Sequence, residues 1–329
     1  FSATAFLCET TAEADGYIAQ TTFIKLLIIS GFLICLPTAY LMESDISESC
    51  CSYTGAYCDR YIRISVHTAA ANITEKENAM KFIVTRDYEE LSQVMAQLML
   101  KHMHTEKERT NIAITTGSTC IQGYRLLAKQ VHGRPWFDPV HYYIFDEFWI
   151  QDERHEKEIS VCQISLDEKY FHAAEVAPDH IHDLNMENYK TFDKDIQKQG
   201  GLDLVIMGIG KNGHFCGNQP GTFDSWNAGT RLVRTDETPY LREYSRKLLH
   251  HDFHSEDTSR IPEYYITMGP KTIMSAKNII FLLSGKEKAE TAKKAFMDPV
   301  TMEFPVSIFQ LHPHVTVILD EAAAALLPL

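Results

Sequence analysis

A histidine stands in a glycine-rich loop, Gly208-Ile-Gly-Lys-Asn-Gly-His214, with the amides Asn212 just before it and Asn218-Gln219 just after. An imidazole moves protons near neutral pH, and glycines let a backbone turn tightly and approach a ligand. A second candidate is Phe145-Asp-Glu-Phe148, two carboxylates among aromatic rings. Desolvation raises a carboxyl pKa toward the range of a useful base, and Asp146 is the candidate; the plainer alternative is an aspartate that ends a strand and caps the next segment. A third is Thr115-Thr-Gly-Ser-Thr119, where Gly117 frees the turn and Ser118, Thr119 and helix-start amides can donate to phosphate oxygens, or simply cap a helix. A fourth, Leu283-Ser-Gly-Lys-Glu-Lys288, offers Lys286 or Lys288 as a cation to oppose a phosphate, or ordinary solvated lysines.

The elements that position these loops follow from periodicity. Short apolar segments predict strands at Phe82 to Val84, Ile112 to Thr115, His141 to Phe145, Leu204 to Met207, Tyr265 to Met268, Ile279 to Leu283 and Val315 to Leu319. Spacings near 3.6 predict helices over Tyr88 to His102, Gln122 to Val131, Tyr189 to Gln199 and Lys286 to Phe296, with a closing helix from Glu321. This alternation predicts an α/β fold, an open, mostly parallel Rossmann-like sheet with helices on both faces. Ligands bind such sheets beyond the carboxyl ends of the strands, where all four loops fall.

Composition narrows the function. With 329 residues, 45% of them hydrophobic, the chain can bury a full core. A formal charge of -13 and no basic stripe argue against nucleic acid as a partner, while a small anion needs only local amides and one or two cations. Five of the eight cysteines lie before residue 59; the others, Cys120, Cys162 and Cys216, are scattered like reduced cytosolic thiols without metal-site spacing. No metal or cofactor is expected, and the location expected is cytoplasmic. Residues 1–79 read as an extension of unassigned role outside the fold. Their apolar run from Leu26 to Leu36 is short for a membrane span and suits a signal-type core or a marginal anchor. The functional domain is expected to cover residues 80–329, with no membrane association of its own.

In order along the chain, Thr116-Gly-Ser-Thr119, Phe145-Asp-Glu147, Gly208-Ile-Gly-Lys-Asn-Gly-His214 with Asn218-Gln-Pro220, Thr267-Met-Gly-Pro-Lys-Thr-Ile273, Ala276-Lys-Asn-Ile279 and Leu311-His-Pro313 resemble the glucosamine-6-phosphate deaminase/isomerase family, in the superfamily of the 6-phosphogluconolactonases. The resemblance implies a sugar-phosphate substrate. It implies that Asp146 moves a proton between C2 and C1, with or without ammonia release, that His214 helps open the pyranose ring, and that Gly117, Ser118, Thr119 and Lys288 hold the phosphate. Arg246 is the candidate for an arginine that also contributes, and family members are commonly oligomers. The chain departs from the deaminases at Asn212, where they carry aspartate, at Gln219, where they carry glutamate, and at Cys120, where proline is usual. An asparagine beside the imidazole keeps a hydrogen bond but removes a charge that stabilises imidazolium. Two alternatives are a lactonase in which His214 activates water, against which Phe148 stands where those enzymes have arginine, and a sugar-phosphate sensor whose proton relay has decayed.

Overall fold

The computed structural model describes residues 80–329 apart from Thr238, and before them only the backbone of four short strands. Three of these, Ala5–Cys8, Ile24–Ile29 and Phe32–Leu36, form an antiparallel sheet within a separate unit, Phe1–Ile62. The expected role of residues 1–79 lies otherwise outside the described residues.

The second unit, Arg63–Leu329, is built on strands β1 (Lys81–Thr85), β2 (Thr110–Ile114), β3 (Val140–Ile144), β4 (Asp146–Glu147), β5 (Trp149–Gln151), β6 (Glu158–Ser160), β7 (Ile181–His182), β8 (Leu204–Gly208), β9 (Arg231–Arg234), β10 (Tyr264–Thr267), β11 (Ile279–Leu283) and β12 (Val315–Asp320). Its helices are α1 (Tyr88–Met103), α2 (Ile121–Val131), α3 (Val161–Leu166), α4 (Tyr189–Lys198), α5 (Pro239–Phe253), α6 (Pro270–Met274), α7 (Ala289–Phe296) and α8 (Glu321–Ala324). A π-helical turn, Asp167–Phe171, carries α3 on to Ala174.

The central sheet runs β7-β3-β2-β8-β11-β12-β1, every neighbour parallel, with Ser65–Thr68 antiparallel along β1. Its residues alternate between two cores. From β8, Leu204 and Ile206 join the layer beneath α1 and α2, while Val205 and Met207 join the layer that includes Phe192 of α4 and Phe296 of α7. Both faces are therefore covered, which is why these strands read as continuous apolar runs. Each buried Leu or Ile contributes about 1.5–3 kcal/mol relative to exposure. The α1 start is fixed by Asp87, whose carboxylate accepts from the Glu90 amide at 2.9 Å, while Glu90 accepts from the Arg86 amide at 2.7 Å.

One expected strand changes place. Tyr264–Thr267 is a strand, but it belongs to a second, antiparallel sheet, β9-β10-β4, that packs beside the first. A short buried apolar run does not encode which sheet it joins, and β9 and β4 are too brief to show a period. Helix α5 also escapes periodicity, because its buried stripe is thin: Leu249 is buried and Leu248 and Phe253 only partly so.

The order in which strands are added to the sheet reverses between β2 and β8. From β2 the strands progress outward through β3 to β7; β8 then returns to the other side of β2 and the order proceeds outward through β11. The carboxyl ends of β3, β2, β8 and β11 are consecutive, so their loops are neighbours at the switch point where such sheets bind ligands.

Candidate active site

The loops after these four strands, with β4, β10, α5 and the start of α3, enclose a cavity of about 560 Å³. It is within the range for small-molecule sites and large enough for a phosphorylated monosaccharide. Gly117, Ser118, Thr119, Asp146, His214, Gln219 and Lys288 all line it. Asn212 is half-buried behind His214 and reaches the cavity through it. Arg246 does not join them: it is exposed on α5, whereas Tyr240 and Tyr244 of that helix line the cavity.

Asp146 is placed by pairing on both sides of its peptide. Strand β4 sets Asp146 opposite Thr267 and Glu147 opposite Ile266, and the Met268 amide donates to the Phe145 carbonyl at 2.7 Å. Burial, then the neighbouring Glu147 charge, pushes the Asp146 carboxyl up to about 7, opposed by the Cys162 thiol, which donates to it at 3.9 Å. Asp203, at the far end of the sheet, shows the contrast. Burial disfavours its charge too, but Lys107 at 2.6 Å, Lys277 at 2.9 Å and the Asn111 amide at 2.9 Å hold its carboxyl below the ordinary value. Asp203 is a structural anchor, whereas Asp146 is poised to exchange a proton near neutral pH.

Glu147, one residue on, has a different task. It is 1% exposed and accepts from the amides of Phe148, Cys162 and Gln163 and from the Ser160 hydroxyl. It ties β4 to the start of α3, which brings Cys162 to Asp146.

The His214 loop depends on its glycines at two points. Gly213 has φ +79°, and a side chain there would also strike the Phe304 ring; a Cβ on Gly210 would lie 2.0 Å from the His214 imidazole. The imidazole consequently stacks against bare backbone on one side and meets Tyr240 at 5.0 Å between ring centroids. Its Nδ1 is 2.6 Å from Asn212 Oδ1, and Asn212 Nδ2 donates to Gln219 Oε1 at 2.7 Å. Burial, then the Lys288 cation, pushes the imidazole down to about 4, so it is neutral at physiological pH. With Nδ1 carrying the proton toward Asn212, Nε2 keeps its lone pair and can accept a proton or a hydrogen bond.

Lys288 follows β11 and donates to the Ile209 carbonyl at 2.6 Å, and burial lowers its pKa. The Gly117–Thr119 loop opens a 3-10 turn, Ser118–Cys120, that leads into α2. Two cationic side chains, Lys211 and Lys288, and a helix-start loop therefore face one cavity, a suitable setting for a phosphate.

Sequence reasoning missed several lining residues. Cys162, Cys216, Tyr240, Tyr244 and Tyr265 also border the cavity. Only Cys216, two residues from His214, was within reach of a sequence signal; its φ of +48° is strained for a side-chain residue.

The family model described as glucosamine-6-phosphate isomerases/6-phosphogluconolactonase matches residues 86–318. Glucosamine-6-phosphate deaminase 2 of Bacillus subtilis (strain 168) is 33% identical over 253 residues, covering 74% of this chain and 96% of the relative. The glucosamine-6-phosphate deaminase of Thermoanaerobacter pseudethanolicus is 32% identical over 257 residues, covering 76% and 96%. Among solved structures, a monomeric glucosamine-6-phosphate deaminase superposes with a TM-score of 0.64 at 28% identity, covering 75% of this chain and all of the relative. The 6-phosphogluconolactonase of Trypanosoma cruzi shares the fold, with a TM-score of 0.58 at 20% identity over 78% of this chain and all of that one.

Proposed function

This chain belongs to the glucosamine-6-phosphate isomerase/6-phosphogluconolactonase family, and from that premise we propose that it is a sugar-phosphate isomerase/deaminase in which Asp146 carries a proton between C2 and C1. The observation that carries this reading is the convergence of Asp146, His214, Gly117–Thr119 and Lys288 on one cavity.

In this reading the phosphate sits between the Gly117–Thr119 loop and Lys288, which anchors the sugar by its far end. His214 Nε2 accepts the anomeric hydroxyl proton as the C1–O5 bond breaks and delivers it to the ring oxygen, which becomes the C5 hydroxyl. Asp146, its carboxyl pushed up to about 7 by burial, takes the C2 proton in its ionised form, and electrons move to the carbonyl oxygen at C1. The protonated Asp146 then returns the proton to C1, leaving the carbonyl function, or its imine, at C2. Desolvation makes the carboxylate a stronger base. The residues that line the cavity come from all four strand-end loops of this chain. Among the described residues no helix is long and apolar enough to cross a membrane, and the free thiols Cys120, Cys162 and Cys216 suit the cytoplasm.

Lactone hydrolysis fits less well. It would leave the Asp146 carboxyl, which lines the cavity and is pushed up to about 7 by burial, with no proton to transfer. The test is turnover of glucosamine 6-phosphate, galactosamine 6-phosphate, glucose 6-phosphate and 6-phosphogluconolactone by wild type, Asp146→Asn and His214→Ala. Isomerisation or deamination lost in Asp146→Asn supports the proposal. Lactone hydrolysis that survives Asp146→Asn but not His214→Ala, or binding of sugar phosphates without any turnover, overturns it.

A further inference from the structure

The hydrogen-bond polarity around His214 is fixed by one contact. Asn212 could in principle present either its oxygen or its amino group to the imidazole, since the two ends of an amide have similar shapes. The His214 backbone N–H settles the matter, because it also points at this atom, 3.4 Å from Asn212 Oδ1. An amino group there would face a backbone donor. Asn212 therefore accepts through Oδ1 from the imidazole Nδ1–H at 2.6 Å and from the backbone, and donates through Nδ2 to Gln219 Oε1 at 2.7 Å.

Gln219 Oε1 accepts from Asn212 and keeps one lone pair, while the Gln219 amino group can only donate. Gln219 is 2% exposed and lines the cavity. The wall beside His214 thus carries a neutral amide with a donor end where a carboxylate would offer only acceptors and a negative charge. Nor does the second carboxylate of the cavity compensate. Glu147 already accepts from four donors, and Lys211 and Lys288 add positive charge to the lining. An ammonium substituent has donors and no acceptor, and it would meet the Gln219 amino group and these cations with Asp146 alone to balance them. A hydroxyl oxygen can accept from Gln219 and donate to His214 Nε2.

We infer that Asn212 and Gln219 select sugar phosphates with a neutral oxygen substituent at C2 over those with an ammonium, so that the reaction is aldose-ketose isomerisation without release of ammonia. This rests on the isomerase reading above. The balance closes without water or any co-reactant: the C2–H bond breaks as Asp146 takes the proton, a C1–H bond forms as Asp146 returns it, and the O2 hydroxyl proton passes to O1. C1 is reduced and C2 oxidised within one molecule.

The test compares glucose 6-phosphate, followed by ketose formation, with glucosamine 6-phosphate, followed by ammonia release, in wild type, Asn212→Asp/Gln219→Glu and Asp146→Asn. Wild type is expected to favour the 2-hydroxy sugar by at least about 100-fold in kcat/KM, the scale of discrimination when a site's donors and acceptors are mismatched. The double variant is expected to gain ammonia release, and Asp146→Asn to lose both reactions. Ammonia release by wild type as efficient as isomerisation, still lost in Asp146→Asn, overturns the selectivity and leaves the isomerase reading standing. Turnover of neither sugar by wild type overturns both. A double variant unchanged in its preference overturns the assignment to these two amides.

Discussion

Replacing Asp146 by asparagine is expected to destroy turnover while making the protein more stable, and the two effects share one cause. The carboxyl sits at about 7 in the folded protein against an ordinary 3.8. A carboxyl raised in this way binds its proton more tightly folded than unfolded, so it costs the fold nothing below pH 3.8. The cost grows as pH rises from 3.8 to about 7 and is constant above that. At roughly 1.4 kcal/mol per pH unit over that interval, ionised Asp146 destabilises the fold by about 4 kcal/mol above neutrality. Asparagine is neutral at every pH but still buries a polar amide, so about 2–4 kcal/mol should be recovered. For a domain of this size that corresponds to a rise in Tm of roughly 5–10 °C at pH 8 and almost none at pH 4. Thermal unfolding of wild type and variant across pH 4–9, beside a turnover assay, reads both effects. A difference in Tm that is independent of pH, or a variant less stable than wild type at pH 8, would refute the claim that burial of an unpaired charge sets the character of this carboxyl.

Other consequences follow from the same geometry. The pH profile of kcat/KM should rise through a single limb near pH 7 as Asp146 ionises, with no second limb from His214 between pH 5 and 8, because that imidazole is held down to about 4; a histidine limb near 6.5 would show the ring to be less buried than the structure has it. Gly210→Ala places a methyl 2.0 Å from the imidazole and should displace His214, cutting kcat/KM by about 10-fold or more while costing about 1–3 kcal/mol in denaturant unfolding; unchanged kinetics would count against a positioned His214. Glu147→Gln swaps one acceptor oxygen for a donor among the four donors that Glu147 now satisfies and should cost about 3–5 kcal/mol, read by urea unfolding, with a value under about 1 kcal/mol excluding its anchoring role. Lys288→Met should raise KM for a phosphorylated sugar by about 10-fold or more with a smaller change in kcat, whereas an effect confined to kcat would remove Lys288 from the phosphate subsite.

Much of the central sheet was legible because both of its faces are covered. Runs such as Ile279–Leu283 are apolar throughout and bounded by polar turns, and six of the seven parallel strands fall within a residue or two of the expected positions, while the two-residue β7 is too short to carry a signal. The site loops were legible for a different reason: glycines, hydroxyl residues and one histidine cluster where strands end, and parallel order then brings distant loops together. The sequence is silent where position depends on tertiary partners. Nothing local distinguishes Tyr264–Thr267 from a central strand, since its place is set by β9 and β4. Arg246 fails as a cavity residue by helical geometry. Tyr240 and Tyr244 are four residues apart and share the face of α5 that meets the cavity, while Arg246, two residues further, projects from the other side. Cys162 reaches Asp146 only because Glu147 fastens the start of α3 to β4, a contact across 15 residues that no motif announces.

The account stands on Asp146 moving the hydrogen at C2. A hexose 6-phosphate deuterated at C2, turned over by wild type and followed by NMR, should lose deuterium from C2, with part of the label appearing at C1 and the rest in solvent, and Asp146→Asn should still bind the sugar but release none. Substrate consumed with its deuterium retained at C2, or label lost equally fast from the Asp146→Asn protein, would contradict the assignment of the base.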